Sequence, residues 1–76
     1  MKGKYLEFRV IGEKPKTKVY GVFETRTGDL IGTIYWWGRW RQYVFEPDEE
    51  TIWSWDCLQT ISEFIKKLMD ERRWKR

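Results

Sequence analysis

Thr33-Ile34-Tyr35-Trp36-Trp37-Gly38-Arg39-Trp40-Arg41-Gln42-Tyr43-Val44-Phe45 packs six aromatic residues into thirteen positions around a single glycine. β-Branched and aromatic side chains recur on both sides of Gly38 at the period of two that a pleated strand imposes. The stretch therefore reads as two strands, Leu30 to Trp36 and Trp40 to Phe45, folded back on each other at Gly38. The missing Cβ of that glycine frees the backbone for a tight turn.

Toward the N-terminus the same period continues. In Tyr5 to Ile11, Leu6, Phe8 and Val10 alternate with Glu7 and Arg9, the pattern of a half-buried strand. Gly12 to Thr17 interrupts it, because Pro15 cannot donate to a ladder and Gly12 relaxes the chain. A second strand runs from Lys18 to Thr25, with Tyr20, Val22 and Glu24 on one side and Val19, Gly21 and Phe23 on the other. Arg26-Thr27-Gly28-Asp29 has turn chemistry, with Gly28 free to take positive φ. Connections this short join antiparallel neighbours, since a parallel pair needs a crossover of about a dozen residues or more. The sheet is an up-and-down ribbon of three to four strands over about residues 5–46.

Beyond Pro47 and the acidic bend Asp48-Glu49-Glu50 the period changes to between three and four. Leu58, Ile61, Ile65 and Leu68, widened by Cys57, Phe64 and Met69, form the apolar face of a helix over about residues 55–73. Ser54 is its N-cap and Asp56 sits where the helix dipole favours negative charge, while Arg72, Arg73, Lys75 and Arg76 suit the opposite end. The fold class is α+β, an antiparallel β-meander followed by one amphipathic helix packed on one sheet face, in a single domain of 76 residues. The other face is left uncovered and carries aromatic surface. A chain this short buries only about 60% of the surface its unfolded form exposes, so its fourteen aromatic rings supply much of the core.

Several function classes are disfavoured by what the chain lacks. It has no histidine and one cysteine, so a general base near neutral pH would have to be a shifted carboxylate or lysine, and a Cys–His nucleophile, a zinc site of the usual kind and an internal disulfide are all missing. Cys57 reads as a small apolar residue of the first helical turn. Asp48, Glu49 and Glu50 lack the spacing of a metal loop and read as a solvated bend. The longest uncharged run, Leu30 to Gly38, is too short to span a bilayer, and the N-terminus lacks the apolar core of a signal peptide. The expectation is a soluble cytoplasmic protein with no cofactor, no metal, no membrane contact and no enzymatic activity. The absence of asparagine, with abundant Lys, Arg and Glu, follows the direction of hyperthermophile composition.

Charge is segregated along the chain. Residues 1–45 hold nine Lys or Arg against four Asp or Glu, residues 46–71 hold two against eight, and residues 72–76 add four basic groups. Within Trp36 to Arg41, tryptophan faces suit unpaired bases and Arg39 and Arg41 suit phosphates or base edges. The same residues also admit a purely structural reading, with Trp36 and Trp40 as cross-strand core partners and the arginines lying over the rings. Lys16 and Lys18 lie in or beside a loop that is either a solvated turn or a phosphate contact. Trp74, beyond the last core-facing turn, either folds back on the sheet edge or meets a partner. The candidate binding residues are therefore Trp37, Arg39, Trp40, Arg41, Lys16, Lys18 and Trp74. They point to a nucleic-acid-binding module or, alternatively, to a protein-interaction module using the uncovered face as a homodimer or as an inhibitor or adaptor of a host protein.

Gly32-Thr33-Ile34-x-Trp36, Trp40-Arg41-Gln42-Tyr43-x-Phe45-x-Pro47, Ser54, Cys57-Leu58 and Ile61-x-x-Phe64-Ile65 resemble a group of short uncharacterised proteins of prokaryotes and their mobile elements. The resemblance covers about residues 14–70 and implies a compact domain of this length. It departs at Gly38 and Arg39, where that group often has a proline, and it transfers no catalytic residue.

Overall fold

The computed structural model describes residues 5–74, with side chains through Arg72. Four strands, β1 (Leu6–Glu13), β2 (Lys18–Glu24), β3 (Leu30–Trp37) and β4 (Gln42–Pro47), form one antiparallel sheet in the order β1-β2-β3-β4. The helix α1 (Trp55–Trp74) follows and packs on one face. The meander and its covering helix are those expected from the hydrophobic periods.

Pairing of Phe8 with Val22, Tyr20 with Ile34, and Ile34 with Phe45 puts one alternating set from every strand beneath the helix. The buried core is Leu6, Phe8, Val22, Ile34 and Tyr43 from the sheet and Ile61, Phe64 and Leu68 from the helix. Phe64 lies flat on Phe8, with ring centroids 4.1 Å apart and planes 2° apart, and meets the Tyr20 ring edge-on at 5.1 Å. Tyr43 joins Tyr20 to Trp36 by two further edge contacts. Gly32 marks a close approach, since a Cβ there would fall 2.5 Å from the Phe45 ring, which crosses it to stack edge-on against Trp53.

The element ends follow local chemistry. Ser54 Oγ accepts from the Cys57 amide and the Ser54 carbonyl from the Leu58 amide, the N-cap expected of serine. Gly28 has φ of +79° in the β2–β3 turn, as anticipated.

Five expectations are corrected. The β3–β4 connection is a four-residue loop, not a tight turn at Gly38, and the fourth strand starts at Gln42 rather than Trp40. The Trp40 amide donates to the Trp37 carbonyl and the Arg41 amide to the Gly38 carbonyl, both at 3.2 Å, and the left-handed residue that returns the chain to β4 is Arg41, φ +56°. Trp36 and Trp40 are not cross-strand partners, because the longer loop sets Trp36 opposite Tyr43. Val10, in register with Tyr20 but next to a bulge before Gly12, is 47% exposed, and Leu58 sits at 49%, turned away from the sheet in the first turns of α1.

Truncating Phe64 to Ala removes the ring that ties helix to sheet, and chemical denaturation should show a loss of about 3–5 kcal/mol. Arg41→Gly relieves a left-handed backbone at an exposed position, so the same measurement should show a gain of about 0.5–1 kcal/mol. Burial of the Tyr20 phenol, reinforced by Tyr43 and Glu71, raises its pKa above the ordinary 10.0. The folded state thus favours the neutral phenol. This contribution is complete below pH 10 and is lost as pH climbs through the higher folded value, so a stability–pH profile should fall in that range and Tyr20→Phe should flatten the fall.

Candidate functional site

Strand direction decides which loops share an end of the molecule. β1 and β3 run one way and β2 and β4 the other, so the β1–β2 loop (residues 14–17) and the β3–β4 loop (residues 38–41) emerge together. Their midlines lie two strand spacings apart, roughly 10 Å. The helix starts at the other end and runs back, so its C-terminal turn reaches the same place. Arg72 Nη1 donates to the Lys16 carbonyl at 3.4 Å, and its guanidinium covers the Trp36 ring at 4.0 Å. Three segments far apart in sequence thus bring Lys14, Lys16, Lys18, Arg39, Arg41 and Arg72 to one end. All but Arg72 are exposed.

The opposite end is acidic. The Asp48 amide donates to the Ile31 carbonyl at the start of β3, which fixes Asp48, Glu49 and Glu50 beside the β2–β3 turn and the first turn of α1, where Asp56 lies. The charge alternation along the chain has become a separation along a body 37 Å long and about 20 Å wide.

The face of the sheet away from the helix carries an aromatic ladder that climbs to the cationic end. Tyr35 and Trp37, two apart on β3, meet edge-on at 6.2 Å, and Trp37 meets Trp40 of the loop at 6.2 Å. Trp37 is 39% exposed and Trp40 64%. The Tyr35 hydroxyl donates to Glu46 Oε1 at 2.8 Å, and that bond is the main reason its pKa stands above the usual phenol range. The open face itself is not basic, as it also holds Glu7 in an ion pair with Arg9 and the Arg9 guanidinium over Phe23. The cations lie at the end of the ladder rather than along it.

Of the residues singled out by sequence, Trp37 and Trp40 are in ring contact, Arg39 and Arg41 share their loop, and Lys16 and Lys18 stand at the neighbouring loop. The side chain of Trp74 lies outside the described residues. Neither arginine of the hairpin loop has a side-chain hydrogen bond or ion pair among the described residues, and the guanidinium over Trp36 is that of Arg72. Tyr35 and Arg72 were missed as members. Tyr35 was readable from its spacing of two from Trp37, whereas the place of Arg72 depends on how many strands precede the helix.

Between the β1–β2 loop and the end of α1 lies an open cleft of about 900 Å³ floored by Tyr20, Tyr43 and Leu68. Its lining mixes Glu13 and Glu71 with Lys14, Lys16, Lys18 and Arg72, so it is not a pocket of one sign. Among the described residues no three carboxylate or thiol groups gather to hold a metal ion, and no helix is long and apolar enough to cross a membrane.

No family model matches the chain, and no solved structure matches it. Over 71 residues it is 35% identical to an "Uncharacterized 9.3 kDa protein" of Acholeplasma phage L2, an alignment covering 91% of this chain and 90% of the phage protein. That relative is a short protein of a mobile element, in keeping with the resemblance carried by the Gly32 to Ile65 motifs. Identity at this level across nine-tenths of both chains shows that the protein belongs to one family with the Acholeplasma phage L2 protein.

Proposed function

We propose that the protein is a small non-enzymatic module that binds nucleic acid at its cationic end. The supporting observation is the convergence there of cations from three separate chain segments beside the exposed rings of Trp37 and Trp40. Phosphates meet Lys16, Lys18, Arg39 and Arg41, while unpaired bases stack on the ring faces of Trp37 and Trp40. Each function needs the other: cations alone attract any polyanion, and stacking adds about 1–3 kcal/mol per base for bases that are not already paired. Single strands are therefore the favoured substrate.

A second reading uses the open sheet face as a protein contact. Ile11 and Leu30 are both more than 40% exposed and close with Phe23 over Gly21, making an apolar island whose neighbouring cation, Arg9 over Phe23, is already paired with Glu7. It suits a protein partner or a symmetric dimer.

A tryptophan fluorescence titration with single-stranded and duplex oligonucleotides, at low salt and near 0.2 M, separates the two. Saturable quenching is expected, stronger for the single strand and weakening steeply with salt. Replacing Arg39 by Ala and Arg41 by Gly should lower the salt slope by about one per lost phosphate contact, and Trp40→Ala should cost about 1–3 kcal/mol. Affinity unchanged by these substitutions, or no response at low salt, would reject the site.

A further inference from the structure

The acidic end of the molecule carries apolar surface that the fold does not use. Ile52 is 98% exposed, Trp55 76% and Leu58 49%. The segment that presents them is tied down. Trp53 stacks edge-on against Phe45 at 4.8 Å, its Nε1 donates to Thr51 Oγ1 at 2.8 Å, and that hydroxyl donates to the Asp48 carbonyl at 2.7 Å. With Trp53 drawn inward, Ile52 is held outward, and Trp55 and Leu58 share the outer side of the first helical turns. A tryptophan three-quarters exposed on a capped helix contributes little to stability, and grouped apolar side chains of this kind anchor interfaces.

Charge selects what fits them. Asp48, Glu49, Glu50 and Asp56 flank the three side chains in the chain and are exposed. The complementary surface is aromatic at its centre and basic around it, and the molecule has one at its other end, where Trp40 stands between Arg39 and Arg41. We propose that the chain associates head to tail, with the Ile52, Trp55 and Leu58 step of one copy receiving the Trp40 loop of the next and the loop arginines meeting the carboxylates. The two surfaces differ, so the contact is heterologous, leaves one free end of each kind and extends as an open chain. A cross-section of 20 × 19 Å offers roughly 300–400 Å² per partner, the size of a weak and transient contact. The hairpin loop is shared with the proposed nucleic-acid surface, so the two associations compete, but the head-to-tail contact does not depend on that reading.

The test is sedimentation equilibrium of the full chain without nucleic acid, from about 50 μM to 1 mM and at about 0.02 and 0.3 M salt. At low salt the weight-average mass should climb past the dimer without a plateau, and at high salt it should return toward the monomer. Trp55→Ser and the pair Arg39→Glu with Arg41→Glu should each be monomeric alone. Mixed, they should form a one-to-one dimer that grows no further, because each retains the end the other has lost, and that dimer also certifies that both variants are folded. A monomer at every concentration would overturn the proposal. So would a dimer plateau indifferent to Trp55→Ser, which marks a symmetric contact through the open sheet face, or a mixture that stays monomeric while the parent chain grows.

Discussion

The flat contact between Phe64 and Phe8 is the interaction on which the rest of the structure depends. A four-stranded antiparallel sheet has two faces with large side chains on both, and a single helix covers only one of them. Phe64 decides which, because its ring fits the step formed by Phe8 and Tyr20 on the two strands farthest from β4. Ile61 and Leu68 then fall one turn to either side and complete the seal. Once that face is taken, Tyr35, Trp37 and Phe23 on the other side are left without a covering helix, and the open face follows from the closed one.

Topology then turns a pattern in the sequence into a pattern in space. An even number of strands returns the chain to the end where the first strand began, so the acidic bend and the helix start lie there. The helix must run back toward both hairpin loops, and its last turn delivers Arg72 onto Trp36 and the Lys16 carbonyl. With three strands, the helix would deliver its basic residues away from the β1–β2 loop. The gathering of cations is therefore a property of strand count as much as of composition.

Much of this was legible in the residues. The change of period after Pro47, the serine before Trp55 and the glycine in the β2–β3 turn each have one dominant physical meaning, and each took it. The hairpin loop was misread because glycine is the usual residue for a left-handed turn, and Arg41 adopts that conformation instead. A loop one residue longer, with β4 starting only at Gln42, then moved Trp40 from a strand to the apex and changed its role from core partner to exposed ring. Leu58 has the helical spacing of a core residue, but in the first turns of α1 the inward side is taken by Cys57 and Ile61, which pack on the core, and Leu58 falls outside that line. Val10 has the right parity and lies where cover is thin. In each case the local pattern was sound and the extent of the opposing surface, which no single segment encodes, decided the outcome.

The separation of charge along the long axis has a consequence for how the protein meets a partner. Its net charge of +3 describes its attraction at long range, but opposite charges at the two ends of a 37 Å body give it a large electric moment as well. Near any strongly charged surface the field exerts a torque before contact, and the molecule turns end-on while still diffusing. A negatively charged surface draws the Trp40 end and a positively charged one the Trp55 end, a bias in orientation that is strongest at low salt.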